Sequence, residues 1–129
     1  MFEHIKIKMM KEYLFLEYPA CSTCRKAKKW LDEQKVNYTD RHIVEERPTC
    51  EELKIWFERS GLPLRKFFNT SGLLYKSMQL KEKLDGMSEE KQLELLASDG
   101  KLVKRPLVIG EDFVLVGFKP EEWKTVLLK

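Results

Sequence analysis

No apolar run in this chain comes near the roughly 20 residues needed to cross a bilayer. The first residues also lack the continuous apolar core and small-residue cleavage site of a signal peptide. A cytoplasmic protein with no membrane partner is therefore expected. The sequence has no repeats, no low-complexity segment and no long block of one charge. Its 24 Lys and Arg stand against 21 Asp and Glu, a net charge of +3. So small a balance gives no reason to expect nucleic acid as a partner. Cysteine is scarce, at three in 129 residues. A chain of this length can bury a core without disulfide staples, and a reducing compartment disfavours them. Two cysteines held close together are then candidates for catalysis, redox regulation or metal binding.

Such a pair is present in Cys21-Ser22-Thr23-Cys24. It follows the apolar run Tyr13-Leu14-Phe15-Leu16 and precedes the helix-like Arg25-Lys26-Ala27-Lys28-Lys29-Trp30-Leu31. A strand thus delivers two thiols to the first turn of a helix. Free N–H groups and the positive end of the helix dipole stabilise a thiolate there. A thiolate is the reactive form of cysteine. Zinc is the competing use of the spacing, but a closed site wants four ligands. Only Cys50, His4 and His42 remain, with no second pair at ligand spacing, so no metal is expected. A core role remains the alternative for Cys24, which shares a helix face with Ala27 and Leu31. Arg25, Lys26, Lys28 and Lys29 read as a solvated face that also favours an anion near Cys21.

The hydrophobic pattern predicts a strand over residues 12–18, a helix over 22–35 and a second, parallel strand over 36–44. A charged helical stretch follows. Thr49 and Glu52 form a capping box, with Gly61 placed to end the helix. Pro63 opens a short helix, residues 73–80 form another, and Ser88 caps a helix reaching Ser98. Pro106 to Ile109 and Phe113 to Val116 form a hairpin about Gly110-Glu111-Asp112. Pro120 starts a last helix carrying Trp123, Val126 and Leu127. The fold class is α/β. A four-stranded mixed sheet, βαβ then ββα, has the order of a thioredoxin-like fold, with a helical insertion at about 48–104. Residues 1–9 are expected to be a dispensable extension, and 10–129 a single domain with monomer as the default state.

Four segments resemble the arsenate-reductase-like family that contains the ArsC enzymes and the Spx regulators, a branch of the thioredoxin superfamily. They are residues 18–27 around the cysteine pair, Arg65 to Gly72, Arg105 to Ile109, and Val116 to Trp123. The likeness covers about residues 12 to 128 and is nearest to the little-characterised ArsC/Spx-like reductases of bacteria. The resemblance implies that Cys21 is the catalytic cysteine, that Arg105 helps hold an oxyanion, and that Pro106 is the cis proline beside the site. Asn69 and Lys119 stand where arsenate reductases keep two more arginines. Asn69 carries no charge, and Lys119 lacks the two-pronged donor geometry of arginine.

The expected activity is that of a thiol-dependent reductase with no bound cofactor. Cys24 resolves the Cys21 adduct, and glutathione or a thioredoxin- or glutaredoxin-type protein supplies the electrons. A small oxyanion, or a thiol or disulfide, is the expected substrate. The alternative is a redox-sensing regulator similar to Spx that binds RNA polymerase. Spx regulators carry a longer C-terminal tail than this chain has.

Overall fold

The computed structural model describes residues 12–128; the expected extension over residues 1–9 lies outside them. Strand β1 (Tyr13–Glu17) lies inside a four-stranded sheet of order β2-β1-β3-β4. It runs parallel to β2 (Tyr38–His42) and antiparallel to β3 (Leu107–Ile109), which pairs antiparallel with β4 (Val114–Val116). The parallel pair is joined by helix α1 (Ser22–Glu33), because parallel strands need a crossover. This is the expected mixed sheet, βαβ then ββα, of a thioredoxin-like fold.

Side-chain alternation along the strands divides the core in two. Phe15, Val108 and Leu115 are in register across β1, β3 and β4 and lie with Ala27, Leu31 and Trp123 on one face. Leu16, Leu107, Ile109 and Val114 belong to the other face, with Ile43, Phe67, Phe68 and Leu96. Two helices cover the first face. Helix α1 presents Cys24, Ala27 and Leu31. The last helix of the chain, Pro120–Leu127, presents Trp123, which is fully buried and donates its indole N–H to the Gly117 carbonyl at 3.0 Å. An aromatic of that size contributes several kcal/mol of burial, on the order of 3–5 kcal/mol by truncation. Gln34, within the helix expected over residues 22–35, is exposed. The helix ends at Glu33, two residues earlier than expected, and Lys35 takes the left-handed φ of 56° more usual for glycine.

The insertion covers the second face. Helix α2 (Cys50–Ser60) opens with the expected capping box and closes at Gly61, whose φ is 68°. Glu52 accepts the Thr49 N–H at 3.0 Å and also both terminal nitrogens of Arg41, at 2.8 and 2.9 Å. One carboxylate therefore ties the helix start to β2. A 3₁₀ turn (Leu64–Phe67) leads to α3 (Leu73–Ser77) and α4 (Leu80–Lys83). These replace the continuous helix expected over residues 73–80. Gln79, at φ 56°, turns the chain so that Leu80 enters the core. Ser88 caps α5 (Glu89–Ser98) as expected, and α6 is the Pro120–Leu127 helix. No helix among the described residues is long and apolar enough to cross a membrane.

Candidate active site

Between Glu17 and α1 the chain makes a tight turn, closed by the Cys21 N–H on the Tyr18 carbonyl at 2.9 Å. Cys21 becomes the N-cap of α1 in extended conformation, and its carbonyl receives the Arg25 N–H at 3.0 Å. No capping hydrogen bond is fully formed by its side chain. Burial by itself would raise the Cys21 thiol. The Cys24 N–H, the Cys24 thiol, the Arg105 guanidinium and the Thr23 N–H outweigh it and hold the thiol below its ordinary value. Cys24 lies one turn further on and is completely buried. Burial, the largest cause, and the neighbouring Cys21 sulfur push its thiol up to about 12, although the Tyr18 N–H donates to it at 3.4 Å. Two thiols in one turn of helix thus have opposite character. The outer one is shifted toward the anion and the inner one holds its proton more tightly.

Arg105 approaches from the opposite side, ahead of β3. Its guanidinium carbon lies 4.9 Å from the centre of the Tyr18 ring, and Nη1 donates to the Lys101 carbonyl at 3.4 Å. Stacking and hydrogen bond together hold the charge beside Cys21. The Arg105–Pro106 bond is cis, as the resemblance implies, and Pro106 is buried behind the site. Cys21 opens into a cleft of about 810 Å³ whose lining includes Arg105, Asn69 and Lys119 but not Cys24 or Pro106. Lys119 is exposed and caps α6. Asn69 is buried, and its amide is already engaged. Its N–H₂ donates to the Lys101 carbonyl at 3.4 Å, and its oxygen accepts from Ser71 at 3.5 Å. Asn69 and Arg105 therefore share an anchor, so Asn69 shapes the wall more than it offers a donor. Gly72 makes that wall possible, since a Cβ there would stand 2.6 Å from the Asn69 amide nitrogen.

The basic residues of α1 separate into individual roles. Arg25 donates to the Pro19 carbonyl at 3.0 Å, and Lys28 pairs with Asp40 at 2.8 Å. Cys50, at the start of α2, packs partly against the insertion core. His42 lies on the edge strand, where its Nδ1 accepts the Val44 and Glu45 N–H groups at 3.2 and 3.1 Å.

Sequence reasoning missed a polar cluster beneath α1. Glu17 is only 5% exposed. Burial, then its hydrogen bond to Asp40, raises its carboxyl to about 7. Burial alone would also raise Asp40, but its bonds to Glu17 and Lys28 hold it below the ordinary range. Glu17 therefore holds its proton more tightly and Asp40 gives its proton up more readily, with Lys28 paired to Asp40 at 2.8 Å. The available signal was Glu17 itself, an acid in alternation with Phe15 on an inward strand face. Lys66 and Lys104 were likewise not identified as lining the cleft.

A family model described as the ArsC family matches residues 16–126. YusI of Bacillus subtilis (strain 168), an uncharacterized protein, is 56% identical over 110 residues, which cover 85% of this chain and 93% of that protein. The regulatory protein MgsR of the same strain is 31% identical, with 88% of this chain and 89% of MgsR covered. A Streptococcus mutans UA159 crystal structure described as a possible arsenate reductase superposes with a TM-score of 0.81 at 42% identity. That match covers 88% of this chain and 98% of the other. The cysteine pair, Arg105 and the cis proline lie within the matched residues, and this chain belongs to the ArsC family.

Proposed function

We propose that this protein is a cytoplasmic thiol–disulfide oxidoreductase of arsenate-reductase-like type. The asymmetry of its cysteine pair carries this reading: Cys21 faces an open cleft at a helix start, and Cys24 is sealed beneath it. The Cys21 thiolate attacks an oxyanion such as arsenate, whose displaced oxygen takes up protons and leaves as water, or one sulfur of a disulfide, whose other sulfur leaves as a thiolate, and becomes covalently bound to it. Cys24 then loses its proton and attacks the Cys21 sulfur. A Cys21–Cys24 disulfide forms, and the substrate leaves reduced by two electrons. Arg105 stabilises negative charge at Cys21, and Lys119 adds positive charge at the cleft rim. Pro106 backs the site, and Asn69 fixes the wall. Glutathione, or a protein of thioredoxin or glutaredoxin type, restores the two thiols, and the chain needs no bound cofactor. It acts as a monomer.

The test is NADPH consumption coupled through glutathione or thioredoxin systems, with and without arsenate. Wild type is compared with Cys21→Ser and Cys24→Ser. Loss in both variants supports the internal disulfide, and loss in Cys21→Ser alone assigns the resolving step to glutathione. Turnover that survives Cys21→Ser overturns the reading.

The likeness to the regulatory protein MgsR favours a second reading. In it the same disulfide is a sensor, and the charged insertion contacts RNA polymerase, as proposed for a regulator similar to Spx. Co-purification from reduced and oxidised extracts decides between the two. Absence of every polymerase subunit in both states removes the regulator.

A further inference from the structure

The cleft is larger than the chemistry at Cys21 requires. Its roughly 810 Å³ falls in the range of about 300–1,000 Å³ that holds drug-sized organic ligands. Five cations line it, namely Arg65, Lys66, Lys104, Arg105 and Lys119, and no carboxylate does. They come from three separate segments: the 3₁₀ turn before α3, the approach to β3 and the cap of α6. Only Arg105 is placed to act on the Cys21 sulfur. Arg65 has a partner in Asp85, but among the described residues Lys66, Lys104, Arg105 and Lys119 have no carboxylate partner.

Apolar surface accompanies this charge. Leu62 lines the cleft at 37% exposure, and Leu73, next to the lining residue Gly72, is 86% exposed. A tetrahedral ion has no use for exposed leucines or for charges distributed over three segments. A peptide has use for both.

From this charge and shape, and resting on the reading of Cys21 as the attacking thiolate, we infer that the cleft takes an acidic protein segment. That segment carries a disulfide-bonded cysteine flanked by Asp or Glu. The Cys21 thiolate attacks the segment's sulfur, forming an intermolecular disulfide, and the sulfur it was bonded to leaves as a thiolate and takes a proton. Cys24 gives up its proton and attacks Cys21. The Cys21–Cys24 bond forms, and the segment departs as a thiolate that is protonated in water. The segment's disulfide gains two electrons, and the cysteine pair loses two. An external thiol or dithiol returns them. The basic cleft brings the anionic segment to Cys21 faster and rejects a basic one.

The experiment uses the reduced full chain and four disulfide probes. Two are synthetic peptides identical except that Glu or Lys flanks the cysteine; the others are oxidised glutathione and 2-hydroxyethyl disulfide. Rates of Cys21 oxidation are read by mass spectrometry. The Glu peptide should react at least ~10-fold faster than the Lys peptide. That advantage should shrink severalfold when salt is raised from about 0.01 M to about 1 M. In K66E and K104E the Glu-to-Lys rate ratio should fall at least ~5-fold, and in K66Q and K104Q by less, with folding checked by circular dichroism.

Equal rates for the two peptides, with hydroxyethyl disulfide still reduced through Cys21, overturn the acidic segment and leave the reductase standing. No Cys21-dependent reaction with any probe overturns both. Oxidised glutathione matching the Glu peptide assigns the cleft to a small anionic thiol and overturns docking of a protein segment.

Discussion

The two faces of the sheet are built differently. The face under α1 and α6 is small and regular, packing Phe15, Ala27, Leu31, Val108, Leu115 and Trp123 beneath two helices. The other face is broad and covered by short helices and 3₁₀ turns between α2 and β3. The reacting sulfurs sit on the regular side, where one helix sets both positions. Much of the cleft wall comes from the segmented side, whose turns present Lys66, Asn69 and Gly72. Chemistry needs fixed geometry, whereas recognition needs surface that can be shaped residue by residue.

Cys21→Ser tests the regular face most severely, and reductase activity in the coupled assay should fall to background while the fold persists. Next in size is Trp123→Ala. It should cost about 3–5 kcal/mol in urea unfolding, because the cavity opens in a core that six buried residues share. A loss near 1 kcal/mol would mean that the segmented face holds the molecule together.

Glu17→Gln examines the polar cluster within the regular face. The Glu17 carboxyl sits near 7 in the fold against an ordinary value of 4.5. Its contribution to stability is complete below about pH 4.5 and is lost as pH rises through about 7, because the unfolded chain gives up the proton first. Glutamine cannot ionise. The variant should therefore gain on wild type across that window, by up to ~3 kcal/mol, and differ least in acid. Urea titrations at several pH values read this directly, and a variant that loses ground as pH rises would contradict the raised Glu17 carboxyl.

Smaller effects belong to the segmented face. Thr49→Ala removes one half of the α2 capping box and should cost about 1 kcal/mol. Leu73→Ala, at 86% exposure, should change stability by less than about 0.5 kcal/mol. A larger loss would show that Leu73 has an internal packing partner.

Elements whose residues signal locally could be read from the chain. Thr49 with Glu52, Gly61, Ser88 and Pro120 each marked a helix boundary, because capping is decided within a few residues. Cys21 could be placed at a helix start for the same reason. The break at Gln79 could not be read, because it serves the burial of Leu80 and not any local preference. The Glu17, Asp40 and Lys28 cluster was hidden because it joins three elements, and only their pairing brings the side chains together. Asn69 was placed at the cleft by its segment, but its commitment to the Lys101 carbonyl depends on a contact across 32 positions.

Strand β2 is the outer strand on one side of the sheet, and its sequence is Tyr-Thr-Asp-Arg-His. Charges occupy it on both faces: Asp40 toward α1, and Arg41 held by the Glu52 carboxylate of α2. The outer strand on the other side, β4, is only three residues long. An incoming chain that sought to extend the sheet would meet fixed ions along one border and too short a template along the other. Both are means by which proteins resist fibrous growth. The apolar strands beneath the helix that bears the reactive sulfurs can therefore stay at the centre without exposing the molecule to edge-to-edge aggregation.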